Sequence, residues 1–277
     1  MLTVLTENKN CHKKSPTYWW EIFVRLESIK TTQNAWWSLI SYFFLGMSNL
    51  NKKTSKGIAR MLQFTEQEKQ GVYKAIEGRR DIRSFLNTPL PEDAIQRILE
   101  AGHHAPSVGF MQPWNFIMVT DQEIKDKLAY AADKERRALA IHYEGTDRSE
   151  GFMKIKVQGL QEAPLTICIT NDPTRGGSHV LGRNSIPETD VLSVACAIQN
   201  MWLASCAEGI ALGWVSFYKK ADVREILGIP PHIEPVALLS LGYTNEYPDR
   251  PLLEILQWEK RRNLQELIFK NGWGVQK

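Results

Sequence analysis

The segment 105–115 constrains the fold more than any other stretch of this sequence, because Pro106 and Pro113 interrupt it. Proline removes a backbone N–H and clashes with the preceding helical turn, so a helix cannot run through this segment. It joins a helical pattern that ends near His104 to an apolar run that begins at Phe116. We therefore expect a shaped loop, whose aromatic and amide side chains suit contact with a flat ligand. An aromatic loop can also fill a core, and this alternative stays open.

From Thr65 onward, helical and strand-like patterns alternate without repeats. Thr65 and Glu68 have the spacing of a capping box, which predicts that a helix begins there. The helical patterns lie at residues 91–102, 121–143, 190–209 and 221–227, and the strand-like runs at 115–120, 164–170, 211–218 and 235–243. This alternation predicts an α+β layered domain. The helix at 190–209 is apolar on more than one face, which predicts a buried central helix with Met201 and Trp202 in the core.

Composition excludes several classes of function. The net charge is only +3 with both signs interspersed, and no basic tract or nucleic-acid module occurs, so we expect no nucleic-acid partner. The four cysteines are scattered, without the spacing of metal ligands, so we expect no metal site and no disulfide framework. Reduced thiols of this kind are typical of a cytoplasmic protein.

Residues 1–60 differ from the rest, with aromatic pairs flanked by lysines and asparagines. Their apolar window, 35–47, is too short to span a bilayer comfortably, and it starts too late for a signal peptide. We expect no membrane span and an extension that is poorly ordered or lies upstream of the true start. An interfacial segment and an extra packing arm are the alternatives. The folded domain is expected to occupy residues 64–277.

The sequence Arg79-Arg80-Asp81-Ile82-Arg83 concentrates three guanidinium groups within five residues. These groups repel one another unless an anion lies among them. If the stretch is extended, Arg79, Asp81 and Arg83 share one face while Arg80 and Ile82 take the other. Arginine can donate two parallel hydrogen bonds to phosphate oxygens, so the pattern indicates a phosphate site. The alternative is a solvated basic turn balanced by Asp81.

Other motifs are absent or ambiguous. No GxGxxG or P-loop sequence occurs, which excludes Rossmann and P-loop phosphate sites. Ser216 lacks a GxSxG elbow, so a hydrolase triad is not supported. His103 and His104 are adjacent on a helix and point apart, so we assign neither to a metal site or to catalysis. The glycine-containing loop that begins at residue 171 is predicted to be a lid.

Three motifs resemble the flavin-dependent nitroreductase superfamily: Arg-Arg-Asp-Ile-Arg-Ser-Phe at 79–85, Ala-Pro-Ser…Gln-Pro-Trp-Asn-Phe at 105–116 and Gly-Trp-Val-Ser at 213–216. The full run His-His-Ala-Pro-Ser-Val-Gly-Phe-Met-Gln-Pro-Trp-Asn-Phe at 103–116 is more specific. With Asp-Pro-Thr-Arg-Gly-Gly at 172–177 and the closing Gly-Trp-Gly-Val, it is similar to the branch that makes the lower ligand of vitamin B12. The resemblance extends from about residue 64 to the C-terminus.

This resemblance implies a nitroreductase-like α+β fold, with a central, mainly antiparallel sheet flanked by helices. It implies an intertwined homodimer with FMN sites at the interface. In that branch reduced FMN is consumed as substrate with dioxygen as co-substrate, giving dimethylbenzimidazole and erythrose 4-phosphate, so a flavin reductase partner must supply the reduced flavin. The alternatives are an FMN-retaining NAD(P)H-dependent nitroreductase and a non-catalytic flavin-binding protein.

The resemblance also implies particular site residues. The predicted flavin-binding residues are Arg79, Arg80, Asp81, Ile82, Arg83, Ser107, Gln112, Ser216 and Arg261. Arg79 and Arg83 match phosphate-binding arginines of the family, and Arg261 matches the basic residue that completes their pocket, with Arg250 as the alternative.

Asp81 and Ser216 are the predicted catalytic residues. A carboxylate beside a phosphate site is electrostatically unfavourable unless it serves a purpose such as moving protons. The alternative for Asp81 is a salt bridge to a neighbouring arginine. Ser216 matches a family serine near the flavin ring, and its alternative is a turn hydroxyl. Many nitroreductases have serine in place of Asp81 and asparagine near the position of Phe110, and both departures favour the vitamin B12 branch.

Overall fold

An antiparallel sheet of four strands lies at the centre of the fold, in the order β1-β2-β4-β3. The strands are β1 (Trp114–Val119), β2 (Leu165–Asn171), β3 (Ala211–Val215) and β4 (Glu234–Gly242). Every residue of β2 is buried, as its β-branched apolar sequence requires. The predicted α+β class and the mainly antiparallel sheet are both confirmed.

The computed structural model describes residues 62–156 and 159–275, so the predicted extension at 1–60 lies outside the described residues. The longer helices are α1 (Glu66–Gly78), α2 (Glu92–His103), α3 (Gln122–Ala140), α6 (Thr189–Ala207) and α7 (Lys220–Leu227). Three short helices are α4 (Ser149–Met153), α5 (Gly159–Glu162) and α8 (Leu252–Ile255). The predicted capping box opens α1, because Thr65 Oγ1 accepts from the Glu68 N–H and the Glu68 carboxylate accepts from the Thr65 N–H.

Helix α6 packs on α2 and on the sheet, where Val194, Ile198 and Met201 are fully buried. The prediction of a helix buried on more than one face is wrong for the single chain, because Val191 and Leu192 are 37% and 56% exposed. Trp202 packs against the core as predicted but is only partly buried, and an arginine side chain lies over its ring. Helix α6 is also apolar and long enough to cross a membrane by composition alone, but 44% of that apolar stretch is buried within the protein.

The extended stretch that follows α1 runs beside β3. The Ile82 N–H donates to the Leu212 carbonyl at 3.1 Å, and Asp81 forms a parallel bridge with Leu212. Gly213 allows this close approach, because a Cβ there would lie 2.0 Å from the Ile82 carbonyl oxygen. Ile82 takes the core face as predicted, whereas Arg80, which was predicted to share that face, is only partly buried. Near the C-terminus, Leu264–Leu267 form a single 3-10 turn whose apolar side chains are exposed.

Candidate active site

The stretch from Arg79 to Arg83 delivers its charged side chains into a cavity of about 930 Å³. This volume lies within the roughly 300–1,000 Å³ typical of small-molecule sites. The charged or titratable residues that line it are Glu77, Arg79, Arg80, Asp81, Arg83, His142, Tyr143 and Arg261. The sequence-predicted phosphate site and the predicted catalytic carboxylate therefore share one cavity.

Asp81 is held in place by the end of β3 and by Arg83. The Trp214 N–H donates to Asp81 Oδ1 at 2.9 Å, and Arg83 Nη2 donates to Asp81 Oδ2 at 2.5 Å. Arg83 Nη2 also donates to the Trp214 carbonyl at 2.5 Å. These three hydrogen bonds link the Asp81 carboxylate, the Arg83 guanidinium and the backbone of Trp214 in a ring. The salt-bridge alternative for Asp81 is thus present in the structure, and it fixes the orientation of the carboxylate.

The electrostatics around Asp81 oppose each other. Burial among protein atoms raises the pKa of the Asp81 carboxyl above its ordinary value, and this effect outweighs the lowering by Arg83, by the Trp214 N–H and by Arg79. Even so, 41% of the side chain faces open space. An oriented carboxylate with a raised pKa and access to a cavity is suited to accept and release a proton.

Arg83 has spare hydrogen-bonding capacity inside the site. Its Nη1 is buried and has no hydrogen-bond partner among the described residues, whereas Nη2 has two acceptors. An unsatisfied buried guanidinium nitrogen is costly, which favours a polar ligand oxygen as its partner. This orphaned donor therefore fits an anionic ligand in the cavity.

Arg80 and Ile82 have positions different from their neighbours. The Arg80 guanidinium donates to the carbonyls of Glu77 at 2.7 Å, Pro248 at 3.1 Å and Asp249. It borders the cavity while tying the end of α1 to the segment after β4. Ile82 is buried in the core, so only its backbone is near the site.

Aromatic side chains form a wall of the cavity that sequence analysis missed. Tyr143 and Phe152 stack at 4.4 Å between ring centres, and Trp258 lies 5.4 Å from Tyr143. The segment around α4 and the chain after α8 supply these rings. Trp258 is far from the other two in the sequence and the three follow no motif, so only the fold brings them together. A wall of this kind suits an apolar, flat ligand.

Of the remaining residues that were predicted near this cavity, some line it and others do not. Arg261 lines it, whereas Arg250 does not and instead lies 3.9 Å from Asp249. Ser216 follows β3 directly and is exposed, but it is not among the lining residues, while its neighbour Phe217 is. Among residues 62–156 and 159–275, no group of three His, Cys, Asp or Glu side chains is arranged to hold a metal ion.

The loop 105–115 lines a second cavity of about 570 Å³, together with His103 and Arg175. Within the loop, Gln112 donates its N–H to Ser107 Oγ at 2.9 Å. Phe110 and Gln112 have positive φ angles of 55° and 50°, which non-glycine residues rarely adopt. Phe110 is 81% exposed at this cavity. Ser107 and Gln112 are therefore brought together here and do not line the Asp81 cavity.

The loop predicted to be a lid packs against this second cavity. Arg175 Nη1 donates to the carbonyls of Gln112 at 2.7 Å and Trp114 at 2.8 Å, and its Nη2 donates to Asn115 Oδ1 at 2.5 Å. None of residues 171–188 lines the Asp81 cavity. Within the described chain, the cover of that cavity comes from the aromatic wall and not from the predicted lid.

Comparison with known proteins agrees with this architecture. The Nitroreductase family model matches residues 76–243, which include the arginine cluster, the loop 105–115 and all four strands. The NADPH:FMN oxidoreductase from Vibrio harveyi, solved in complex with NAD+, superposes with a TM-score of 0.55 at 18% identity. The match covers 75% of this chain and 80% of that one, and it shows a shared fold.

Two curated relatives are more similar in sequence. The 5,6-dimethylbenzimidazole synthase of Rhodospirillum rubrum is 35% identical over 195 residues, covering 70% of this chain and 92% of that protein. The enzyme of the same name from Rhodobacter capsulatus is 32% identical over 199 residues, covering 72% and 96%. The two alignments therefore cover nearly the full length of both enzymes.

Proposed function

The chain belongs to the nitroreductase family, and from this premise we propose that it acts as a 5,6-dimethylbenzimidazole synthase. It is an oxidoreductase in which reduced FMN and dioxygen are substrates and the flavin is fragmented. The products are dimethylbenzimidazole, the lower ligand of vitamin B12, and erythrose 4-phosphate. One observation carries the proposal from the structure: Asp81, a carboxylate, lies among the arginines of the cavity.

The cavity fits FMN chemically. Arg79 and Arg261 would hold the phosphate, and the buried Nη1 of Arg83 offers a donor for a further ligand oxygen. The aromatic wall of Tyr143, Phe152 and Trp258 would border the apolar ring system. Charge-assisted hydrogen bonds contribute about 1.5–3 kcal/mol each, so paired arginines supply a large share of the affinity for a phosphorylated flavin.

The chain contributes proton transfer and hydrogen bonding at the flavin. Reduced FMN, when bound, supplies the electrons that reduce dioxygen. Asp81 holds or moves a proton at its carboxylate oxygens, for which its raised pKa and its fixed orientation by Trp214 and Arg83 suit it. Ser216 is proposed to donate or accept a hydrogen bond near the ring, since it lies directly after β3.

The rest of the proposed site comes from a second copy of the chain. Gln112 lines a separate cavity in one protomer, and Ser107 accepts a hydrogen bond from its N–H, so a homodimer is needed to bring this part of the loop to the flavin of the Asp81 cavity. Because each turnover consumes a flavin, we propose that a separate flavin reductase supplies reduced FMN. We propose that the reaction takes place in the cytoplasm.

The test is a single-turnover reaction of the protein with stoichiometric reduced FMN, mixed with air-saturated buffer. Chromatography with mass detection should show dimethylbenzimidazole and loss of FMN. Intact oxidised FMN as the only flavin product would refute the proposal. If NAD(P)H then re-reduced the bound flavin over many cycles, the protein would be an FMN-retaining nitroreductase. If no turnover occurred with either, it would be a flavin-binding protein.

A matched pair of variants separates catalysis from binding. Asp81→Asn should abolish dimethylbenzimidazole formation while FMN still binds, because the isosteric amide cannot act as a general acid or base at neutral pH. Asp126→Asn changes an exposed carboxylate on α3 that hydrogen-bonds to Gln122 and Gln161, and it should leave product formation unchanged. Normal product formation by the first variant would remove Asp81 from the reaction.

A further inference from the structure

Trp202 lies directly beneath Arg79. The guanidinium carbon of Arg79 is 4.7 Å from the centre of the Trp202 ring, within the roughly 6 Å over which a cation and an aromatic face attract. Within the described part of the chain, the Arg79 side chain has no hydrogen bond or salt bridge. Its five N–H donors are therefore all available to a ligand while the ring supports its flat face.

The ring is itself held rigidly. Trp202 Nε1 donates to the Arg80 carbonyl at 3.1 Å, so α6 is tied to the backbone immediately beside Arg79. The preceding residue, Met201, is fully buried against the core. The Trp202 ring also lies 6.4 Å from the ring of Trp214. The backbone N–H of Trp214 donates to the Asp81 carboxylate and orients it. Trp202 thus lies against Arg79, which is proposed to bind the phosphate, and beside Trp214, which orients Asp81.

An unsupported arginine loses much side-chain freedom when it grips a phosphate, and this loss weakens binding. A platform that already holds the guanidinium removes most of that loss. We propose that Trp202 is a positioning residue that pre-orients Arg79 for the phosphate and so makes the site selective for phosphorylated flavin. This inference rests on the proposed function, because it takes FMN as the ligand of the Asp81 cavity.

The test compares oxidised FMN with riboflavin, which lacks the phosphate, by flavin fluorescence titration. Trp202→Met and Trp202→Leu remove the aromatic face, and each should weaken FMN binding roughly 3- to 30-fold while riboflavin binding changes little. Trp202→Phe keeps an aromatic face and should retain most of the preference for FMN. Either of the two non-aromatic variants decides the question if the other does not fold.

Arg79→Ala completes the design as a double-mutant cycle. If Trp202 acts through Arg79, removing the ring from the Arg79→Ala protein should cost little further FMN affinity. Leu99→Ala is the control for general loosening, because Leu99 packs on the same core and lines neither cavity. This control should lower the unfolding temperature and leave the ratio of FMN to riboflavin affinity unchanged.

The outcomes separate the two proposals. Equal losses of FMN and riboflavin affinity in Trp202→Met, or additive losses in the cycle, would overturn the role of Trp202 while leaving the phosphate site intact. If the unmodified protein bound both flavins equally well, the phosphate site of the proposed function would fail, and the role of Trp202 with it.

Discussion

At the scale of single residues, Asp81 combines two opposing demands. Its ion pair with Arg83 at 2.5 Å favours the ionised carboxylate, but burial disfavours that form more strongly, and the net effect raises the pKa. A carboxyl group whose pKa is higher in the folded than in the unfolded protein makes ionisation costly to folding. Functional residues often carry such a cost, because chemistry and stability place different demands on the same group.

This argument predicts an unusual pH dependence for Asp81→Asn. Stability associated with the neutral carboxyl is fully present below the unfolded pKa of about 3.9 and is lost as pH rises through the folded pKa. Asparagine is neutral throughout. The variant should therefore unfold at the same temperature as the unmodified protein or higher at pH 7–8, and the difference should shrink as pH falls. Scanning calorimetry from below the unfolded pKa of about 3.9 up to pH 8 measures it, because the difference begins to develop at that pH.

Asp133→Asn is the matched control with the opposite sign. Hydrogen bonds from Arg136 lower the pKa of the Asp133 carboxyl, and this effect exceeds the raising by burial. A hydrogen bond from Arg137 lowers the pKa further. Its contribution to stability is present above about pH 3.9 and is lost as pH falls through the lower folded pKa. This variant should be less stable at pH 7. Equal destabilisation by both substitutions would contradict the account of Asp81.

At the scale of elements, the loop 105–115 depends on its anchors. Phe110 and Gln112 have left-handed backbone angles that cost on the order of 1–3 kcal/mol each, so surrounding contacts must maintain them. Ser107 holds the N–H of Gln112, and Arg175 holds its carbonyl. The loop that begins at residue 171, predicted to be a lid, therefore fixes the shape of the loop 105–115 within one chain.

Arg175→Ala should consequently relax the loop. It removes three hydrogen bonds from a cation, and we expect a loss of about 1–3 kcal/mol in unfolding free energy because the side chain is partly exposed. Amide exchange of Gln112 should accelerate, and dimethylbenzimidazole formation should fall. Hydrogen exchange with mass detection and the single-turnover reaction measure the two effects.

Arg97→Ala is the matched control for losing an arginine. Arg97 pairs with Asp93 and Glu208 on the surface and is about half exposed, so its removal should change the unfolding free energy little. It should leave both amide exchange in the loop 105–115 and product formation unchanged. If Arg175→Ala behaved like this control, the loop would not depend on its anchor.

Local sequence signals predicted most elements well. The capping box at Thr65, the prolines at 106 and 113 and the β-branched run of β2 act through nearest neighbours, and the structure contains each as expected. The exposed outer face of α6 and the 3-10 turn near the C-terminus were not foreseen, because burial depends on what packs there. Hydrophobic pattern alone does not specify the surface that covers it.

The site was predictable to a similar degree. The charged face of the stretch from Arg79 to Arg83 follows from strand alternation, and the structure places it on the larger cavity. The packing of Trp258 on Tyr143 and Phe152 joins two distant segments, and the support of Arg79 by Trp202 joins two more. No local pattern encodes such contacts, so only the folded chain shows them.

At the scale of the whole molecule, residues 62–156 and 159–275 of a single chain leave apolar surface exposed. Helix α1 has no buried residue, and its apolar face of Val72, Tyr73 and Ile76 is 46–61% exposed. Leu192 on α6 and Phe110 in the loop 105–115 are also exposed. Exposed apolar surface of this extent indicates contact with another surface. The two cavities, each with part of the predicted flavin contacts, indicate the same.

We therefore predict that the protein is active only as a homodimer. Leu192→Glu places a charge on the exposed apolar face of α6, which should shift the mass measured by analytical ultracentrifugation from dimer toward monomer and lower FMN affinity in parallel, because burying an unpaired charge is costly. Tyr130→Glu changes a 74% exposed ring on α3 and should leave the dimer intact. A monomeric unmodified protein that formed dimethylbenzimidazole at the full rate would contradict the shared site, since one chain would then have to hold the flavin without the loop 105–115 of another.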